Sequence, residues 1–412
     1  MKESIRLYPG NWLYNAGVIG FLEVITYGEC NNVVEEWLKN DGSVEIEKRV
    51  FDFKRLGNRE VPFCLYYYVE FLTKDEDIEN WRKRTDKKNI SYEEKYKQIA
   101  EEFGDVLWGY KYVRAMNKLF YSDMPYQNLF QKGDWSENSL SNFINKIPES
   151  ILKPGRICGI CNNFYSSSFP YLSEKTVKRI EKFSEMYVHK LNIGSSLAEF
   201  PNSFWNNSQS LNVCPLCAYL IIHHHIALTS LSDKSGIFVN APSFKVMWYL
   251  NRYMREVYGK EKIGRVRELL GISIIEMALR LNIQLGKWTM MNIEVVSKYK
   301  EGDNDKIDFF NLPYEAVLLL SDRDIASLLN EIGELNILDL ILDGKYKEIL
   351  DLAERLFKIG LKHKEDRGKQ ENEFINNKVK LTKNRENLIS YSQKLFKLYA
   401  LIEEKIRKEV YV

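Results

Sequence analysis

Cys158-Gly159-Ile160-Cys161 and Cys214-Pro215-Leu216-Cys217 are the two stretches on which the reading of this chain turns. A CxxC turn aims two sulfurs at one point, and two such turns complete a tetrahedral four-thiolate site of the kind that holds Zn²⁺. Only Cys30 and Cys64 lie outside the pairs. A closed four-sulfur site leaves no coordination position for water, so it points to architecture and binding rather than to metal catalysis. Two other readings stand beside zinc. A redox motif needs one CxxC at a helix N-terminus after a strand, with a lowered thiol pKa, and four cysteines can also sit unpaired in a core. A structural zinc ion supplies about 10–16 kcal/mol to a folded site, enough to anchor both ends of the 52-residue insertion between the pairs.

Outward from the cysteines, Pro215 suits a first helical turn, and a helix is expected to run from there through Tyr219–Leu231. The insertion carries an amphipathic stretch, Glu174–Leu191, and then a loop rich in Asn and Ser. Toward the N-terminus, residues 9–26 (PGNWLYNAGVIGFLEVIT) read as a buried helix behind a Pro9-Gly10 turn, with Asn11 as its cap. Gly17 and Gly20 give that helix a smooth face. Each costs about 1 kcal/mol relative to alanine, so close packing is expected in return, against a sheet. Residues 42–56 alternate as a strand, and 61–72 fit either a strand or a buried helix. Ser235–Ala241 reads as a short strand, and helices dominate from Phe244 onward.

The expected class is α+β and helix-rich. It divides into a mixed N-terminal domain over 1–150, a zinc-stapled region over 151–235, a helical connecting region over 236–311, and a C-terminal helical bundle over 312–412.

Composition limits function. The 412 residues are 45% hydrophobic and 28% charged with a net charge of +2, so any nucleic-acid surface is a local patch on a balanced background. Six cysteines in this length are not a disulfide scaffold. Trp12–Thr26 is apolar but interrupted by Asn15 and Glu23, and too short to span a bilayer. A cytoplasmic protein without membrane partners is expected. Phosphate-loop, dinucleotide, HExxH and GxSxG signatures are absent, so the chain reads as non-catalytic. Asp322-Arg323-Asp324 is the one tidy carboxylate group for a metal-dependent nuclease, and it reads as a helix cap. Three adjacent histidines, His223-His224-His225, point in different directions on a helix and read as ordinary packing.

Three basic clusters are candidates for phosphate contact. The first is Arg82, Lys83, Arg84, Lys87 and Lys88; the second includes Arg252 and Arg255; the third, within Lys358–Arg385, includes Lys380, Lys383 and Arg385. Lys and Arg neutralise phosphates and release counterions, and nearby aromatics stack unpaired bases. A charge run is otherwise a solvated helix face.

The segment Leu7–Ile25, LYPGNWLYNAGVIGFLEVI, resembles the N-terminus of the large subunit of type I-B CRISPR Cascade complexes. A mid-chain CxxC and a CPLC pair ahead of a helix are similar to that family, as is the order of parts. The resemblance implies a non-catalytic subunit at the foot of a crRNA-guided complex, touching the 5′ handle of the guide and target DNA. Such a subunit inspects the protospacer-adjacent motif, lies near the displaced strand, binds Cascade backbone subunits and helps recruit the helicase–nuclease. Guide pairing reads the target while protein reads the short motif. The resemblance gives Cys158, Cys161, Cys214 and Cys217 the zinc-ligand role. A nuclease with structural zinc and a zinc-stapled scaffold that binds only protein remain as alternatives.

Overall fold

The computed structural model describes residues 4–29, 31–76, 78–80, 97–120, 137–151, 155–166, 213–231, 235–260, 266–281, 289–290, 292–301 and 304–410. Strand β1 (Ser4–Leu7) leads through Pro9-Gly10 into helix α1 (Trp12–Gly28). Asn11 caps α1 as its sequence position predicts, its side-chain oxygen accepting the Tyr14 N–H at 3.0 Å. Asn15 closes the turn from inside the helix, accepting from Gly10 N–H and donating to the Gly10 carbonyl. Thirteen residues of α1 are buried, so this helix is a core element rather than a surface amphipath.

Around it come α2 (Asn31–Trp37), β2 (Val44–Glu47), a 3₁₀ turn over Lys48–Phe51, β3 (Phe53–Leu56), β4 (Arg59–Pro62) and α3 (Phe63–Leu72). β1 pairs antiparallel with β2, and β3 with β4. The 61–72 stretch, undecided by period, is the end of β4 followed by a buried helix. Then follow α4 (Val106–Phe120), α5 (Glu137–Asn145), α6 (Ile147–Ile151), β5 (Arg156–Ile157), β6 (Phe164–Tyr165), α7 (Pro215–Ile221), α8 (His224–Ala227) and β7 (Thr229–Ser230). The helix expected through Leu231 therefore stops at Ile221 and resumes for one turn. His223 interrupts it, its ring bonded to the Tyr219 carbonyl at 2.9 Å.

Residues 236–311, expected as a helical connection with a short strand at Ser235–Ala241, hold that strand and, among the described residues, two further strands besides two helices. They are β8 (Gly236–Asn240), α9 (Phe244–Lys260), α10 (Val266–Leu281), β9 (Glu294–Glu301) and β10 (Asn304–Asn311). Strands β7–β10 pair in the order β10-β9-β8-β7. Buried Asn251 of α9 closes on the β8 backbone, accepting the Val239 N–H and donating to the Val239 carbonyl, both at 2.8 Å.

The chain ends in helices: α11 (Tyr314–Leu320), α12 (Arg323–Ile332), α13 (Leu335–Leu342), α14 (Tyr346–Gly360), α15 (Lys369–Lys378), α16 (Thr382–Glu386) and α17 (Leu388–Val410). Among the described residues no strand follows Asn311. α14 and α17 make the most extensive helix pair, and α10 packs on α11, α12 and α13. The fold is α+β and helix-rich, as expected. It divides into two compact units, one of Met1–Phe238, Pro242–Lys245 and Val296–Asp308, the other of Val239–Ala241, Val246–Val295 and Phe309–Val412. Residues 151–235 fall wholly in the first and 312–412 wholly in the second.

Candidate metal centre

Each cysteine pair is set by a different local structure. The first sits in the turn between β5 and β6, where Arg156 pairs with Tyr165 and Ile157 with Phe164. The turn closes through Cys158 N–H to the Asn163 carbonyl and Asn162 N–H to the Cys158 carbonyl, at 3.0 and 2.9 Å. Asn162 takes a left-handed φ of 58° to make it, a conformation that asparagine tolerates better than most residues. The second pair opens α7. Cys214 is the N-cap, Pro215 occupies the first turn as its fixed φ favours, and the Cys214 sulfur accepts the Cys217 N–H at 3.4 Å.

The four sulfurs converge. All lie within 4.8 Å of one another, and Cys161 Sγ stands 3.7 Å from Cys214 Sγ. A disulfide is about 2.05 Å long, so these are free thiols. A tetrahedron with metal–sulfur bonds of about 2.3 Å has edges of about 3.8 Å, and the observed separation matches it. Peptide N–H groups point at the sulfurs, Ile160 and Cys214 both donating to Cys158 Sγ at 3.4 and 3.3 Å. Cys158, Cys214 and Cys217 are buried and Cys161 is half-buried. The cluster is therefore closed, all-sulfur and pre-formed, and can hold a metal ion.

Electrostatics make the same point. Burial, then neighbouring sulfurs, push the thiols of Cys214 and Cys217 well above the usual range. Hydrogen bonds from the three neighbouring cysteines pull Cys158 down. Four thiolates at this spacing need a cation to neutralise them. The expected redox alternative asks for a single exposed low-pKa thiol, and a quartet of converging sulfurs is a different arrangement.

α1 forms one wall of this centre. Tyr14 is wholly buried, its hydroxyl has no hydrogen-bond partner, and burial followed by the charges of Cys217, Cys161, Cys214 and Cys158 drives its phenol upward. A Cβ at Gly10 would stand 3.2 Å from the Tyr14 ring and 3.6 Å from the Ile160 carbonyl oxygen. Farther along, a Cβ at Gly17 would lie 2.7 Å from the Leu220 carbonyl oxygen, and one at Gly20 only 2.0 Å from that of His223. The glycine face thus packs on the helical segment after the second cysteine pair, not on a sheet. His223 completes the contact, buried between the rings of Phe21, Tyr68 and Tyr219 at 5.0–5.4 Å. It is a packing residue, as expected, and it is not part of the sulfur cluster.

The basic candidates are differently placed. Arg82, Lys83, Arg84, Lys87 and Lys88 lie outside the described residues, as does Glu174–Leu191. Arg252 covers the Trp248 ring at 5.0 Å, and Arg255 donates to the Asn251 carbonyl. In the third cluster Lys380 donates to the Asn376 carbonyl, Lys383 to that of Glu331 and Arg385 to that of Val379. These cations complete helix ends, a structural role the charge run does not reveal. Asp322 caps α12 as expected, accepting from Asp324 and Ile325 N–H, and pairs with Lys405 at 2.9 Å. The sequence reading missed Tyr14; its position on the inner face of α1, beside Gly10, is the only signal for it. Among the described residues no helix is long and apolar enough to cross a membrane. Comparison of the chain with protein-family models, curated proteins and solved structures gives no match.

Proposed function

We propose that Cys158, Cys161, Cys214 and Cys217 hold a structural Zn²⁺, and that the chain is the non-catalytic large subunit of a crRNA-guided type I CRISPR surveillance complex in the cytoplasm. One observation carries this reading. The two sequence features that resemble that family, Leu7–Ile25 and the cysteine quartet, are far apart in the chain yet pack as one body, with Tyr14 and Gly10 against the sulfur cluster. Zinc is the natural occupant because a closed tetrahedral set of four thiolates suits a d¹⁰ ion without redox chemistry. The ion's role is to weld the β5–β6 turn to the start of α7.

In this reading the subunit binds the crRNA 5′ handle and duplex target DNA, reads the protospacer-adjacent motif, lies near the displaced strand, and meets Cascade backbone subunits and the helicase–nuclease. The test is co-expression with Cascade backbone subunits and a crRNA. Co-purification as a stoichiometric particle, with one zinc per chain by elemental analysis, is the expected result. Failure to assemble at any salt concentration defeats the proposal. A salt-independent or absent nucleic-acid affinity favours a protein-only scaffold, and metal-dependent cleavage by the chain alone favours a nuclease.

A further inference from the structure

The β5–β6 turn carries an outward face that the metal centre does not use. Successive strand residues point to opposite sides. Inward, Cys158 joins the sulfur cluster and Tyr165 is wholly buried. Outward, Ile157 and Phe164 are cross-strand partners, and they are 53% and 56% exposed. The hairpin is held at its root by Ser166 N–H to the Ser150 carbonyl at 2.8 Å, and at its tip by the cysteine turn. An aromatic ring is thus held out on a short, rigid support beside a branched aliphatic side chain. Ordering it costs little further entropy on binding.

The charge of the sequence on either side favours a polyanion. No Asp or Glu occurs from Ser150 to Ser173, where Lys153 and Arg156 are the charged residues, nor from Phe200 to Ser232. In a chain that is 28% charged overall, both cysteine pairs thus stand in sequence segments without carboxylates. Asn162 is exposed two residues before Phe164, in the left-handed turn. Its amide offers both a donor and an acceptor, which complements a ribose 2′-hydroxyl.

We infer that Phe164 and Ile157 form a stacking platform for an unpaired base of single-stranded RNA. This rests on the proposed function, and names the part of the surface that takes the guide. Stacking on an aromatic face is tolerant of base identity.

The experiment uses the full-length, zinc-loaded chain and a short labelled single-stranded RNA of mixed sequence, read by fluorescence anisotropy. Phe164→Ala is expected to weaken binding about tenfold, with zinc content and salt dependence unchanged, while Phe164→Trp keeps the affinity. Ile157→Ala gives a smaller loss in the same direction and serves if Phe164→Ala loses zinc. Tyr27→Ala, which removes another exposed aromatic, leaves affinity unchanged. DNA of the same sequence binds less tightly; equal or tighter DNA binding overturns the assignment to RNA. Undiminished RNA affinity in both Phe164→Ala and Ile157→Ala overturns the platform while leaving the proposed function standing. Undiminished affinity with lost assembly onto the backbone subunits marks the pair as a protein contact and equally overturns it. No RNA binding by the unmodified chain counts against the proposed function itself.

Discussion

The imidazole of His223 is fully enclosed by Phe21, Tyr68 and Tyr219, and burial followed by the nearby His225 lowers its pKa to about 3. Its Nδ1–H donates to the Tyr219 carbonyl, which leaves Nε2 unprotonated and without a partner. Unfolded, the same side chain titrates near 6.5. Below that pH the unfolded chain takes up a proton that the folded chain refuses until about pH 3. The stability contributed by neutral His223 is complete above pH 6.5 and is lost as pH falls. The expected slope approaches about 1.4 kcal/mol per pH unit, and His224, also lowered by burial, adds to it. Denaturant unfolding between pH 7 and pH 5, with bound zinc monitored, should show the midpoint dropping; a flat profile contradicts the burial argument. Gly20 is a second residue whose role is steric. Gly20→Ala drives a methyl into the His223 carbonyl and is expected to cost about 3 kcal/mol. Gly368→Ala, with nothing within 4 Å, should change the unfolding free energy by less than about 0.5 kcal/mol.

Between elements, the junction of α12 and α13 is closed by one carboxylate. Glu334 is buried and accepts the backbone N–H groups of Lys380 and Leu381 and the side-chain amide of Asn384. Its partner segment links α15 to α16, so a single side chain fixes where the third basic cluster sits. Glu334→Gln replaces an acceptor oxygen with a donor facing other donors. A loss of about 2 kcal/mol in unfolding free energy is expected, whereas Lys383→Ala, which removes an exposed cap, should cost under about 1 kcal/mol. This level also divides what was readable in the sequence from what was not. α1 was legible because a turn, a cap and a long apolar run agree. The converging cysteines were legible because CxxC constrains two sulfurs at once. The β9–β10 pair was not, although Glu294–Glu301 and Asn304–Asn311 both alternate apolar and polar residues in part. Asp303–Lys306 reads from sequence as a polar break among helices, and Asn304–Lys306 is instead the start of β10. Helix ends at Lys380 and Arg385 were illegible for a different reason: whether a cation meets a carbonyl or a phosphate depends on tertiary placement alone.

For the whole molecule, the cysteine cluster and the core are coupled within the first compact unit. Removing the proposed zinc ion is expected to free the β5–β6 turn and the start of α7, and α7 and α8 are what the glycine face of α1 packs against. Chelation, or Cys214→Ser, is therefore expected to raise amide exchange across α1 and α7 at least tenfold while α14 and α17, in the second unit, keep their protection. Hydrogen–deuterium exchange with mass spectrometry checks this, and uniform exposure of both units would contradict it.

The glycine contact also sets a timetable for synthesis. α1 leaves the ribosome well before the surface that covers it, which ends at Ala227, roughly 200 residues later. At about 5–20 residues per second the nascent chain carries a naked apolar helix for on the order of ten seconds or more. Until α7 and α8 emerge, that apolar surface is open to association with other chains.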